Sequence, residues 1–292
     1  TVVVVAIFFF VFFGFFGNLS FLYTIATNEK IRSSRALLLC ILCVMHFVML
    51  THNFINVFRI MGGIRLTKQE CIWAQTIPPT MYAVSHQAIL YVVLGVDVMI
   101  SLLFPARYIR IRSLRYVCLL QIPCILYASS FIVASTFFDD DRQIAVCNPP
   151  EAFPRVVNNV RTQVGLVLGV IVLLLYLYII YLLIRKSPTR TVKSSQIRAA
   201  KSMVALSGTY LLSWFCTVTI SFLATRMPLD SLFIRVYNQY AVLFALAAYS
   251  LTYYIHFLIS REYRRAFLSN FCCRPFALPI NDLFTSRHGS EI

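Results

Sequence analysis

Hydrophobic residues in this chain fall into seven long runs, at about residues 2–26, 36–58, 72–104, 116–138, 163–184, 199–224 and 232–258, separated by short polar loops. A bilayer core about 30 Å thick needs about 20 apolar residues in helical form, and each run is long enough to supply them. The run opening at Cys71 is the reference for the others. At about 1.5 Å per residue, Cys71 to Asp97 would extend about 39 Å, enough for a tilted crossing with Cys71 at one face and Asp97 near the other. Pro78-Pro79 removes two backbone donors, which predicts a kink or an unwound turn in the outer third of this helix. The pattern predicts an all-α membrane protein, a seven-transmembrane helix bundle over residues 1–271. It closes with a short amphipathic cytoplasmic helix at 261–271 (REYRRAFLSNF) and a polar tail at 272–292.

The first run is uncharged and is read as a span rather than a secretory leader, because it exceeds the length of a leader's apolar core and has neither a basic flank nor a small-residue cleavage site. Gly17-Asn18 lies within it, and an amide at that depth needs a partner, so Asn18 is expected to face the bundle. The Asn18-Leu19-Ser20 sequon is therefore set aside. His46 in the second run is expected to be a neutral, hydrogen-bonded group, with Asn18 a candidate partner.

Composition agrees with the pattern. Hydrophobic residues make up 59% of the 292 and charged residues only 13%, about half the share of an ordinary soluble domain. The formal charge of +15 would suggest nucleic acid in a soluble protein, but the cations here sit in loops between apolar runs. Three, four and six Lys and Arg occupy the first, third and fifth loops and five follow the last run, against eight elsewhere. The positive-inside rule then places the C-terminus in the cytoplasm and the N-terminus outside, in a multi-pass plasma-membrane protein. Of the nine cysteines, Cys71 and Cys147 fall in loops on the outer side and are a disulfide candidate. Cys272 and Cys273, beside the amphipathic segment, are palmitoylation candidates.

These features resemble the rhodopsin-like G-protein-coupled receptors. The resemblance is carried by Gly17-Asn18, by Cys71 opening the third span, by Asp97 followed by SLLFPARY, by Trp214 in the sixth span, and by the segment 257–267. Within that group LTKQECIW and LGVDVMISLLFPARY resemble the nematode serpentine chemoreceptors of class SX. The resemblance implies a receptor that binds an extracellular ligand and signals by helix rearrangement to a heterotrimeric G protein, with no enzymatic activity and no cofactor or metal.

Departures from the family pattern shape the residue roles. The acid–arginine pair at the inner end of the third helix reads Asp97-Val98, the buried sodium-site acid falls on His46, and the seventh-helix motif reads Thr252 to His256. Asp97, Val98, Arg107, Tyr253 and His256 are the implied switch. Asp97 is open to pairing with Arg107, to pairing with a cation of a neighbouring loop, to protonation, or to simple solvation at the interface. Counting outward from Asp97 and Trp214 gives Thr80, Met81, Val84, Trp214, Thr217, Ser221, Asn238, Gln239 and Val242 as candidate ligand contacts. None is acidic, which disfavours amines and favours a small neutral or weakly polar molecule; a neuropeptide is the alternative ligand.

Other classes fit less well. A transporter would show ionisable residues near the midplane and repeated halves, and neither is evident. Paired carboxylates, HExxH and Gly-x-Ser-x-Gly are absent from the sequence, so an intramembrane enzyme has no support. A receptor-like partner subunit that no longer signals stays open because the third-helix arginine is missing. Lipids are expected partners of the basic loops; nucleic acid is not.

Overall fold

The computed structural model describes residues 2–63, 66–67, 70–71, 77–108, 110–111, 113–137, 143–144, 153–185, 194–226 and 232–271. Seven long helices lie among them: α1 Val2–Thr27, α2 Ser34–Met61, α3 Ile77–Leu103, α4 Ser113–Phe137, α5 Arg155–Arg185, α6 Ser194–Arg226 and α7 Leu232–Ile259. An eighth, α8 Arg261–Phe271, follows α7 after Ser260. Two-residue strands β1 Leu66–Thr67 and β2 Gln143–Ile144 pair antiparallel, Leu66 with Ile144 and Thr67 with Gln143. The tail at 272–292, with Cys272 and Cys273, lies outside the described residues, as does Cys147.

Six of these helices carry stretches long and apolar enough to cross a membrane: Val2–Thr27, Ser34–Arg59, Pro78–Leu103, Leu114–Phe137, Val156–Arg185 and Val242–Ile259. α6 is more polar, beginning SSQIRAAKS and burying Ser202, Ser207 and Ser213. Large apolar side chains also cover the outside, among them Phe9, Phe12 and Phe16 of α1, Leu119 and Leu126 of α4, and Val167 and Leu174 of α5. Helices that are apolar on every side are stable against hydrocarbon rather than water.

Several helices outrun their apolar runs. α5 starts at Arg155 rather than near 163, because RVVNNVRT continues the helix although Arg155, Asn158, Asn159, Arg161 and Thr162 interrupt its apolar pattern. α6 likewise starts at Ser194 rather than near 199. Hydropathy registers only the stretch in hydrocarbon, whereas helices extend through the interface. Both prolines sit in the first turn of α3, where the helix leaves backbone donors unpaired in any case; residues 72–76, on which the expected kink or unwound turn also falls, lie outside the described residues. α2 ends at a Gly62-Gly63 turn in which Gly63 takes φ +66°, the left-handed conformation suited to a helix stop.

α3 is the centre of the bundle, packed against α2, α4, α5 and α6, while α7 packs between α1 and α6 and also meets α2. The main core joins Leu39, Leu42, Tyr91, Leu94, Val98, Ile179, Met203 and Leu206. A second cluster holds Val11, Leu50, Ala83, Leu246 and Tyr249, and a third, at one end, holds Cys71, Met81, Phe131, Phe153 and Val157. Small residues let α1 approach its neighbours: a Cβ on Gly14 would lie 2.6 Å from Leu50 Cδ1 and 2.7 Å from Ser250 Oγ. That close approach supports polar contacts, with the Ser250 hydroxyl donating to the Phe10 carbonyl at 2.8 Å and Tyr254 donating to that of Phe13 at 3.0 Å.

At the Cys71 end, Thr67 and Glu70 form a reciprocal cap. The Thr67 amide donates to Glu70 Oε2 at 2.8 Å and the Glu70 amide to Thr67 Oγ1 at 3.2 Å. The backbone bond lowers the Glu70 carboxyl from its ordinary range.

Candidate functional site

At the end of the bundle opposite Cys71, α2 and α3 are joined by a buried charge cluster. α2 starts one residue before Arg35, whose side chain points inward; α3 presents Asp97 and Ser101 one turn apart on the facing side. Arg35 Nε donates to Asp97 Oδ2 at 2.9 Å and Arg35 Nη2 to Ser101 Oγ at 2.6 Å. After α3 the one-turn helix Pro105–Tyr108 folds back, and the Tyr108 hydroxyl donates to both Asp97 oxygens, at 2.9 and 3.1 Å. The Arg35 guanidinium lies 5.9 Å from the Tyr108 ring centre. Burial raises the Tyr108 phenol well above its usual value, so it remains a donor.

This geometry decides among the options for Asp97. It is 0% exposed, which rules out a solvated interfacial acid. Its partner is Arg35; Arg107 is exposed, because the four-residue helix turns Tyr108, not Arg107, toward the carboxylate. Arg35 was counted as a loop cation because the apolar run begins at Ala36; nothing in the local sequence marks it as buried. Val98, where the family has arginine, is fully buried in the main core.

Mid-bundle, Asn18 is 1% exposed and donates to the Gly14 and Tyr249 carbonyls at 2.9 and 3.1 Å. His46 does not pair with Asn18. Its Nδ1 lies 3.1 Å from Thr252 Oγ1 and its ring 5.2 Å from that of Tyr249, because α7 runs between α1 and the histidine and supplies nearer partners to each. The two α7 residues of the expected switch pack toward α8. His256 is buried between Phe21 and Tyr263, and Tyr253 touches Phe257 and Phe267. Arg198 of α6 reaches Glu262 of α8 at 3.1 Å, an exposed pair of little energetic weight.

The expected ligand contacts separate. Thr80 and Met81 are buried, and Met81 belongs to the Cys71 cluster. Val84 and Val242 pack against the Leu50–Tyr249 cluster instead. The Thr217 hydroxyl bonds the Ser213 carbonyl one turn back, at 2.9 Å. Trp214 lies against α5, where a Cβ on Gly169 would come within 2.9 Å of Cζ3. The side chains of Ser221, Asn238 and Gln239 lie outside the described residues. Cys71 is buried and disulfide-bonded.

No curated protein matches the chain significantly. A family model described as serpentine type 7TM GPCR chemoreceptor Srsx matches residues 11–271, which takes in α2 to α8 and all of α1 but its first nine residues. The chain therefore belongs to the Srsx family of serpentine seven-transmembrane GPCR-type chemoreceptors.

Proposed function

We propose that the chain is a chemosensory receptor that binds an extracellular small molecule toward its Cys71 end and passes a helix rearrangement to a heterotrimeric G protein at its Asp97 end. Family membership supports the receptor class. The observation that carries the coupling is the buried Arg35–Asp97–Tyr108 cluster. Desolvating two charges gives back little net stability compared with an apolar contact, so such a pair is better suited to holding one of two arrangements than to simple cohesion. Its three elements, α2, α3 and the turn after α3, would have to move relative to one another for a cytoplasmic groove to open.

In the proposed orientation the N-terminus is extracellular, and the basic loops, α8 and the tail face the cytoplasm. α8 then lies on the inner leaflet, with Cys272 and Cys273 as acylation sites beside it. Cys71 pairs with Cys147; the β1–β2 ladder supports this by bringing the two loops together within four residues of Cys71 and three of Cys147.

A second-messenger screen of cells expressing the chain, against small volatiles and soluble metabolites, tests the reading. A ligand-dependent response is expected, with basal or maximal signal altered in Asp97→Asn at matched surface expression. A ligand that binds with no messenger response would contradict it.

A further inference from the structure

Arg35 and Arg161 each hold guanidinium nitrogens closed to solvent, and among the described residues Arg35 has a counter-charge while Arg161 has none. Arg35 is satisfied by Asp97 and Ser101. Arg161, on the second turn of α5 near the Cys71 end, is not. Its Nη2 donates to Asn158 Oδ1 at 2.8 Å and its guanidinium lies 5.1 Å from the Phe153 ring centre. Its Nε is shielded from solvent with no acceptor, and the ion pairs among the described residues are Arg35–Asp97 and Arg198–Glu262. A guanidinium has five N–H donors and stays protonated, so it cannot escape burial by neutralising.

The surroundings are aromatic and neutral. Phe153 belongs to the cluster of Cys71, Met81 and Phe131, so the cation sits just beneath the disulfide-bearing cap. The Tyr249 hydroxyl accepts from Gln87 Nε2 at 3.3 Å, while Gln87 Oε1 is buried without a donor. A cation with an unfilled donor, set against an aromatic ring and with no carboxylate partner among the described residues, is an arrangement that lacks an anion.

We propose that the ligand is a small organic acid whose carboxylate pairs with Arg161 and whose apolar body lies among these rings. This deepens the receptor reading above and rests on it for the location of the site. It also departs from the sequence-based expectation of a neutral ligand, which follows from the absence of an acid among the candidate ligand contacts and does not include Arg161 among them.

The test is thermal unfolding of the purified full chain in dodecyl maltoside, with benzoate, octanoate and indole-3-acetate each set against its methyl ester. At least one acid is expected to raise the midpoint where its ester does not. Arg161→Gln should weaken that effect about tenfold or more in ligand concentration. Arg161→Lys, which keeps the charge but loses the fork and covers the case of a misfolded glutamine variant, should retain part of it. Acids and esters acting alike, none of the acids acting, or an unchanged effect in Arg161→Gln would overturn the proposal. So would loss of the acid effect in phosphatidylcholine nanodiscs, since a lipid phosphate would then own the guanidinium. The readout needs no G protein: acid binding without a messenger response removes the signalling reading alone, and a response indifferent to Arg161→Gln removes this one alone.

Discussion

Arg35 and Asp97, 62 positions apart in sequence, meet at 2.9 Å and tie the first turn of α2 to α3 in a site closed to solvent. Removing one member strands the other. Asp97→Asn or Arg35→Ala should each lower stability by about 3–5 kcal/mol, read by thermal unfolding in detergent. The double change Arg35→Met with Asp97→Leu should be much closer to wild type, since it abolishes the desolvation cost as well as the attraction. Equal losses in the single and double variants would show that the pair stabilises by packing alone.

Tyr108→Phe isolates the third member of the cluster. It deletes a phenol that donates to both oxygens of Asp97 without adding bulk. The expected loss is about 1.5–3 kcal/mol, the range for a hydrogen bond to a charged group, again from unfolding. The loss should vanish in the Arg35→Met, Asp97→Leu background, because the acceptor is gone.

Much of this architecture is legible in the sequence. The apolar runs locate the helices to within a few residues where the chain is in hydrocarbon, as at α1 and α7. They fail where a helix continues beyond it, as at Arg155 and Ser194, because hydropathy measures the solvent and not the backbone. A proline pair such as Pro78-Pro79 reads as a kink mid-span and as a start signal at a helix end, and only the position of that end separates the two. Asp97 stood out as a carboxylate in a span. Its partner did not, because Arg35 looks like any cation flanking a run, and a contact over 62 positions leaves no local trace. Arg161 was hidden for the same reason.

Gly169 sets the separation of α5 and α6 at Trp214. A methyl group added there would lie 2.9 Å from Trp214 Cζ3 and 3.0 Å from Cη2, so the indole or the helix must shift. Gly169→Ala should cost about 1–3 kcal/mol and change the emission of Trp214, measured in a Trp73→Phe background. An unchanged spectrum and midpoint would mean the indole has room that the packing does not suggest.

The cap at the Cys71 end is tested by its cysteines. Cys71→Ser and Cys147→Ser should each cost about 2–5 kcal/mol, and the double variant no more than either alone. Additive losses would show that the two sulfurs are not joined to each other. Unfolding with and without reductant provides the comparison.

The central claim is that this chain turns ligand binding at one end into G-protein activation at the other. Its most direct measurement is nucleotide exchange on a heterotrimeric G protein reconstituted with the purified chain. A ligand that raises the thermal midpoint should accelerate exchange on at least one class of G protein, and Asp97→Asn should alter that acceleration at equal ligand occupancy. Saturating ligand that leaves exchange at its basal rate on every class would contradict the account.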